Sequence, residues 1–188
     1  MSATGQVVKL TASDAAAGDR FGSSVAIDND TVVVGAYWED GAGTDRGAAY
    51  IFERNQGGTA DQWGQAARLT ASDAQDGDFF GCSVSISDDT VVVGAYGENG
   101  VGFSVDDRGA AYVFERNQGG TADNWGQVTR LRASDAANHD YFGYAVAISG
   151  DQILVGAYGE NGAGTDRGAA YVFSPQPYQT YLPLTRND

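Results

Sequence analysis

Residues 80–96 read FGCSVSISDDTVVVGAY, and the order of residue types in this stretch decides the fold. The VVVGA run at 91–95 is continuously apolar, which is typical of a strand that is buried on both faces. A short polar link, Ser87-Asp88-Asp89, joins it to the strand-like run SVSI, and such links favour a tight turn between antiparallel strands. The stretch therefore predicts a β-hairpin.

The same hairpin sequence occurs three times in the chain. Residues 21–37 read FGSSVAIDNDTVVVGAY and residues 142–158 read FGYAVAISGDQILVGAY, so the Phe-Gly pairs lie 59 and 62 residues apart. The three additional residues fall in one segment, where GAGTDRG at 41–47 becomes GVGFSVDDRG at 100–109. Insertions are tolerated in surface loops, and a fixed period of this length indicates a repeat architecture.

Each copy contains four strand-like runs, named A, B, C and D. In the first copy these runs are residues 23–27, 31–36, 48–52 and 65–70. A unit of four short antiparallel strands is too small to bury its own faces, so neighbouring units must stack. The sequence predicts an all-β fold of three four-stranded antiparallel propeller blades, in a single repeat domain over 1–188. The predicted blades are 12–70, 71–132 and 133–173.

The two ends of the chain provide candidates for further outer strands. Residues 6–11 match run D and predict a leading outer strand with no A, B and C runs before it. The tail at 174–188 aligns loosely with run D and is a candidate for the last outer strand of blade 3. Three blades cannot close a ring, so we expect self-association. The favoured assembly is a homodimer of six blades, in which the leading strand completes the third blade of another chain.

Composition and charge exclude several classes of function. The 188 residues carry a formal net charge of −14, which argues against nucleic acid or an anionic membrane surface as a partner. No apolar run approaches the roughly 18 residues of a membrane-spanning helix. The first ten residues lack a signal-peptide pattern, so we expect an intracellular protein or one whose signal has been removed. One Cys and one His exclude a cysteine zinc cluster and most triad chemistry, and we expect a protein without enzymatic activity.

The combined pattern FG-x-SVAI, TVVVGAY, RGAAYVF and W-x-Q-x-x-x-LTASD resembles the FG-GAP repeat over residues 6–173. That family includes the seven-bladed propeller of integrin alpha subunits and many bacterial extracellular proteins, and the bacterial type is the most similar. The resemblance implies an extracellular or cell-surface location and a function in adhesion. It also implies that the ligand face is the one formed by the B–C and D–A loops.

Acidic residues are concentrated in the B–C and D–A loops, which emerge on the same face of a blade. This face is the more acidic of the two, and it carries the three-residue insertion. The candidates for ligand contact on it are Trp38, Glu39, Asp40, Asp45, Glu98, Asp106, Asp107, Glu160 and Asp166. The alternative is a solvated acidic surface that keeps the protein soluble.

These observations favour a non-enzymatic extracellular binding or adhesion module with a protein or a glycan as its ligand. One alternative is a lectin-like propeller that stacks sugars on Trp38, Trp63 and Trp125, although the last two are also expected to pack at blade edges. Another alternative is a designed or excised propeller fragment with a structural role. Cys82 replaces a serine of the first copy and is expected to be a small buried residue rather than a nucleophile.

Pairs of aspartates precede each Phe-Gly in the element S-D-x-x-x-x-D-x-F-G. They are weak candidates for cation ligands, and they are Asp14, Asp19, Asp73, Asp78, Asp135 and Asp140. Because the element recurs in every copy, capping of loop amides is the favoured interpretation. Integrin-type repeats often hold calcium in the A–B loop, but here that loop retains only Asp28-x-Asp30, and Ca²⁺ needs 6–8 oxygen ligands. We expect no cofactor, with calcium as the alternative.

Overall fold

The computed structural model describes residues 8–55, 62–99, 106–121, 123–161 and 167–174, and within them the chain forms three antiparallel sheets. Strands β1–β4 are Ser24–Asp28, Thr31–Ala36, Ala48–Arg54 and Trp63–Leu69. Strands β5–β8 are Ser83–Ser87, Thr90–Ala95, Ala110–Glu115 and Gly126–Leu131. Strands β9–β11 are Phe142–Ser149, Gln152–Ala157 and Ala169–Phe173. A 3₁₀ turn, Gln118–Gly120, precedes β8.

Each sheet is one blade, in which neighbouring strands follow the order of runs A, B, C and D. This confirms the prediction of an all-β fold made of propeller-type blades. Within the described residues, blades 1 and 2 have four strands and blade 3 has three. The predicted last outer strand falls almost wholly on 175–188, which lie outside the described residues, as do residues 1–7. The described part of the predicted leading strand, residues 8–11, is not in a strand.

Two-residue turns close the three A–B hairpins. In blade 1 the turn consists of Asn29 and Asp30. The first turn residue has a positive φ in every blade, with values of 50° at Asn29, 51° at Asp88 and 57° at Gly150. Asn, Asp and Gly tolerate this left-handed conformation better than other residues. The hairpins predicted from the polar links are therefore confirmed.

The hydrophobic core lies between the blades. Val33 and Ile51 of blade 1 pack in one buried cluster with Val84 and Ile86 of blade 2. Phe80, from the Phe-Gly pair that begins blade 2, is fully buried in the same cluster. Burial of a side chain of this size contributes roughly 1.5–3 kcal/mol. The stacking of one blade on the next therefore holds the fold together, as expected for repeats that cannot bury their own faces.

The same serine hydrogen bond occurs at both interfaces between neighbouring blades. Ser24 Oγ donates to the carbonyl oxygen of Gly81 at 2.8 Å, and Ser83 Oγ donates to the carbonyl oxygen of Gly143 at 2.8 Å. At this point a Cβ atom on Gly94 would overlap the same Gly143 oxygen. Glycine is required there because the backbones of blades 2 and 3 come into contact.

Residues 10–12, which precede blade 1, pack in the same way as the end of run D packs between blades 1 and 2. Ala12 is buried, and Leu10 lies beside it against the cluster that contains Tyr50. Leu69 and Ala71 hold the same repeat positions at the interface between blades 1 and 2. Residues 10–12 thus occupy the place of the end of run D, although residues 8–12 do not form a strand.

Candidate functional site

The B–C and D–A loops form one connected surface, which we name the loop face. Within blade 1, the backbone N–H of Trp38 in the B–C loop donates to the carbonyl oxygen of Asp19 in the D–A loop at 3.3 Å. Between blades, the N–H of Phe79 donates to the carbonyl oxygen of Asp45 at 3.1 Å. Backbone hydrogen bonds of this kind fix the loops relative to one another, so side chains from different blades hold defined positions.

Three of the described acidic candidates on the loop face form ion pairs within the chain, and Asp106 has the longest, at 3.9 Å from Arg108. Glu39 accepts from Arg68 at 2.6 Å. Glu98 is 3% exposed and accepts two hydrogen bonds from Arg132, at 2.7 and 2.8 Å. A buried carboxylate that is paired in this way stabilises the loop and is poorly available to a ligand.

The carboxylates of Asp40 and Asp106 also accept hydrogen bonds within the loops. Asp40 accepts the backbone N–H of Asp45 at 3.0 Å, and Asp106 accepts from the side-chain amide of Asn138 at 2.8 Å. Asp166 lies outside the described residues. Two further candidates, both half-buried, are Asp107 and Glu160. The acidity of the loop face is therefore largely engaged in holding the loops in place.

The second aspartate of each predicted pair closes its own loop. Asp19, Asp78 and Asp140 are buried, and each accepts the backbone N–H of the residue three positions earlier, at 2.6, 2.7 and 2.6 Å. Burial raises the pKa of the Asp78 carboxyl to about 6, although the hydrogen bond from the Gln75 N–H opposes this shift. These contacts are those of a carboxylate that caps loop amides.

The first aspartate of each pair contacts run C and run D. Asp73 accepts the hydroxyl of Tyr112 at 2.9 Å and pairs with Arg130. Asp135 accepts the equivalent tyrosine hydroxyl of blade 3 at 2.9 Å, and Asp14 pairs with the equivalent arginine of blade 1 at 3.2 Å. Among the residues that the structure describes, no three His, Cys, Asp or Glu side chains are grouped so as to hold a metal ion.

A continuous series of aromatic rings crosses the loop face from blade 1 to blade 3, and we name it the aromatic ridge. Its members are Trp38, Tyr37, Phe79, Tyr96, Tyr141, Tyr144 and Tyr158, and successive ring centroids are 4.6–6.2 Å apart. Two pairs are stacked, Phe79 on Tyr96 at 5.0 Å and Tyr141 on Tyr158 at 4.9 Å. Such contacts add roughly 0.5–1.5 kcal/mol each and orient the rings.

The backbone before each Phe-Gly pair places one ridge position in an uncommon conformation. Phe79 and Tyr141 have φ values of 56° and 55°, and Arg20 holds the same position in blade 1 with a φ of 59°. The left-handed region costs a residue with a Cβ on the order of 1–3 kcal/mol. Arg20 is not aromatic, but its side chain packs on the ridge, because its guanidinium lies 4.6 Å from the ring centroid of Trp38.

The ridge is most accessible at its two ends. Trp38 is 37% exposed at the blade 1 end, whereas Tyr144 and Tyr158 are 53% and 52% exposed at the blade 3 end. A cleft of about 380 Å³ lies beside Tyr144 and Tyr158. A second cleft, of about 260 Å³, lies where Tyr37, Tyr96 and Tyr144 meet near Cys82. The ridge is therefore flanked by two clefts with aromatic walls, of which the one beside Tyr144 and Tyr158 is mainly apolar.

Cys82 lies beside the second cleft and is half-buried. Burial raises the pKa of the Cys82 thiol to about 11, so the thiol is protonated at neutral pH. It contacts the carbonyl oxygen of Gly143 at 3.5 Å, as a weak donor. The sequence predicts a small buried residue at this position, and the side chain is half-buried in the structure.

The three tryptophans do not form a common platform. Trp125 is 8% exposed, and its Nε1 donates to Glu53 at 3.3 Å. Trp63 begins β4, is half-buried and lies against Arg54, with 5.3 Å between guanidinium carbon and ring centroid. The structure therefore does not bring Trp63 and Trp125 together with Trp38, and both side chains have the packing at blade edges that the sequence predicts for them. Trp38 alone of the three belongs to the ridge.

The residues of the aromatic ridge are visible in the sequence, but a comparison of equivalent positions in the three repeats does not group them together. Tyr37, Tyr96 and Tyr158 recur directly after run B, as a structural residue would. Tyr144 stands where blade 1 has Ser23 and blade 2 has Cys82, so it reads as an isolated exchange. The fold brings the recurrent and the variable positions into contact on one face.

Stacked antiparallel blades of this kind define a propeller-type repeat protein. The FG-GAP repeat model matches three segments, residues 4–52, 63–114 and 125–173. These segments include most of the chain, which therefore belongs to the FG-GAP repeat family. This confirms the resemblance seen in the sequence. A comparison with curated proteins finds no match.

Membership of the family carries two general properties. FG-GAP repeats are typically extracellular domains, and propellers of this family are generally non-enzymatic. The described part of the chain holds no helix that is long and apolar enough to cross a membrane.

Proposed function

We propose that the chain is a non-enzymatic, extracellular binding or adhesion module whose ligand contacts the aromatic ridge on the loop face. The observation that carries this proposal is the unbroken series of rings from Trp38 to Tyr158, exposed at both ends. Exposed aromatic side chains that are already oriented lose little conformational freedom on binding, and they dominate the affinity of many interfaces. A protein ligand with apolar side chains would fill the clefts between the rings.

The carboxylates of the loop face have a supporting role in this proposal. Glu98 and Glu39 are paired with Arg132 and Arg68, so they orient loops rather than meet a ligand directly. In this proposal the aromatic ridge, rather than the acidic side chains of the loops, makes the main contact with the ligand. No cofactor is needed for such binding.

A carbohydrate ligand is the second candidate. The observation that favours it is the cleft of about 380 Å³ beside Tyr144 and Tyr158, whose rings are half exposed. The apolar face of a sugar ring stacks on an exposed tyrosine, and hydroxyl groups of the sugar can bond to loop carbonyl oxygens. This candidate shares the site of the first and differs in the ligand.

Variants taken from the other repeats test the ridge without disturbing the fold. Tyr144→Ser introduces the residue of blade 1, and Trp38→Gly introduces the residue of blades 2 and 3. Wild type and variants are screened on a glycan array and against a displayed library of random peptides. We expect each variant to weaken the wild-type hits about tenfold, the equivalent of roughly 1.4 kcal/mol for one lost ring contact.

The control variant is Asp151→Asn, in the exposed A–B turn of blade 3 at the opposite end of the blade. It should bind as the wild type does. Hits on the glycan array alone would assign a carbohydrate ligand, and hits in the peptide library alone would assign a protein. Ligands that bind both ridge variants with wild-type affinity would contradict the proposal.

A further inference from the structure

The interface between two blades has the same composition each time it occurs in the molecule. Between blades 1 and 2, Val84 and Ile86 of β5 belong to one buried cluster with Val33 of β2 and Ile51 of β3. Between blades 2 and 3, the equivalent residues of β9 pack against the cluster that contains Val92 and Val113. Each interface thus joins a run A of the following blade to runs B and C of the preceding blade.

In blade 1, the run A residues that would pack against a preceding blade are exposed to solvent. Val25 and Ile27 of β1 hold the repeat positions of Val84 and Ile86. Val25 and Ile27 are each 67% exposed, whereas Val84 and Ile86 are each 8% exposed. The difference arises because the described residues include no blade in front of blade 1.

In blade 3, the run B and run C residues that would pack against a following blade are exposed to solvent. Leu154 of β10 and Val172 of β11 hold the repeat positions of Val33 and Ile51. Leu154 is 44% exposed and Val172 is 67% exposed, whereas Val33 and Ile51 are fully buried. Blade 2 separates these two outer faces, so the three stacked blades cannot pack them against each other.

We propose that blade 3 of one chain packs on blade 1 of a second copy of the same chain, with Leu154 and Val172 against Val25 and Ile27. The two faces are the halves of an interface that the molecule already builds twice, so the contact continues an established packing. It is a head-to-tail contact, which two copies can satisfy twice in a closed ring of six blades. The proposal concerns the blade faces, and the second copy would also cover the cleft beside Tyr144 and Tyr158, so a ligand bound in that cleft would compete with the association.

Hydrogen bonds from backbone N–H groups to side-chain oxygens at the two internal interfaces support the same arrangement. The N–H of Asp88 donates to Asp28 Oδ2 at 2.7 Å, and the N–H of Gly150 donates to Ser87 Oγ at 3.2 Å. In blade 3, Ser149 holds the position of these acceptors. Ser149 of one copy therefore accepts the N–H of Asn29 of the second copy in the proposed contact.

Two sequence differences make this contact weaker than the internal ones. Ala145 stands where Ser24 and Ser83 donate to the next blade, so that hydrogen bond is lost. Ser174 stands where Glu53 forms its ion pair with Arg116 of the next blade at 2.7 Å. The association is therefore reversible and depends on protein concentration.

Sedimentation across a range of protein concentrations tests the proposal. The wild-type chain of 19.6 kDa should associate to a species of two copies as its concentration rises. Val172→Glu or Ile27→Lys, each at an exposed position, places a charge on an apolar contact and should raise the dissociation constant roughly tenfold or more. Val128→Glu is the matched control, since Val128 is 43% exposed on β8 and belongs to neither outer face. Thermal unfolding of each variant establishes that it is folded.

Mixing the two variants distinguishes a head-to-tail contact from other arrangements. In the mixture, Glu at 172 of one chain meets Lys at 27 of the other, and the second interface of the pair has wild-type residues. The mixture should therefore associate more tightly than either variant alone. A wild-type chain that remains monomeric, or whose outer faces are covered by its own end segments, would overturn the proposal. Association that survives both variants, or a mixture that fails to associate, would also overturn it.

Discussion

At the scale of single residues, Asp78 couples the loop face to pH. Burial raises its pKa to about 6, and the nearby Glu98 and Asp73 contribute to the shift. An ordinary aspartate titrates near 3.8, so the folded chain holds the Asp78 proton more tightly than the unfolded chain does. The contribution of this group to stability is therefore full below about pH 4 and declines as the pH rises to about 6.

Asp78→Asn should remove this dependence. The amide oxygen of asparagine still accepts the Gln75 N–H, which Asp78 accepts at 2.7 Å, but it carries no charge. Relative to the wild type, the variant should gain about 2–3 kcal/mol in free energy of unfolding between pH 4 and pH 7, from 1.36 kcal/mol for each pKa unit. Urea unfolding at both pH values measures the gain. An equal difference at the two pH values would contradict it, and Asp151→Asn, at an exposed turn, is the control.

At the scale of structural elements, the end of β7 is held against blade 1 by a polar clasp. Arg116 lies between Glu53 Oε1 at 2.7 Å and Thr31 Oγ1 at 3.0 Å, with its guanidinium 4.9 Å from the Trp125 ring centroid. The side chains of Arg116 and Glu53 are 18% and 15% exposed, so solvent screens this pair less than a surface pair.

Glu53→Gln should loosen the joint between blades 1 and 2. Glutamine can still accept the Trp125 N–H but loses the charge that faces Arg116, and we expect a loss of about 1–3 kcal/mol in stability. Glu115→Gln is the matched control, because Glu115 is the same residue of blade 2 and is exposed. Urea unfolding at neutral pH compares the two, and equal losses would show that the clasp contributes nothing specific.

The elements that follow from local pattern could be read directly from the sequence. Run B was predicted at 31–36 and β2 has these bounds, because a continuous apolar run between a polar turn and a loop has few alternatives. Run C was predicted to end at residue 52, and β3 continues to Arg54, where the chain reaches the clasp with blade 2. Strand ends are set by contacts between blades, which a single repeat does not display.

The candidate site could be predicted in part, for a related reason. The sequence placed acids in the B–C and D–A loops, but Glu39 meets Arg68 and Glu98 meets Arg132 only when the folded blade brings its B–C loop to the end of run D. The aromatic ridge requires the stacking of three blades. Pairings across a blade or between blades depend on the fold. Residue type alone could not reveal these pairings, so the sequence analysis assigned the acids to ligand contact.

At the scale of the whole molecule, charge opposes the proposed association while the contact itself is apolar. Each chain has a formal net charge of −14, so two chains repel each other. The side chains proposed to meet, Leu154 and Val172 with Val25 and Ile27, carry no charge. Salt screens repulsion beyond about 10 Å at 0.1 M ionic strength, and it leaves apolar burial largely unaffected. Adding sodium chloride should therefore tighten the association of the wild-type chain.

Sedimentation at low and high salt measures this dependence. The mixture of Ile27→Lys and Val172→Glu provides the comparison, because its engineered ion pair weakens as salt is added. Its association should strengthen less with salt than that of the wild type, or should weaken. If salt instead dissociated the wild-type species, ion pairs would hold the copies together, and the contact would lie outside the two apolar blade faces. A wild-type species that tightens with salt, beside a mixture that does not, would assign the contact to these faces and the opposing force to the net charge.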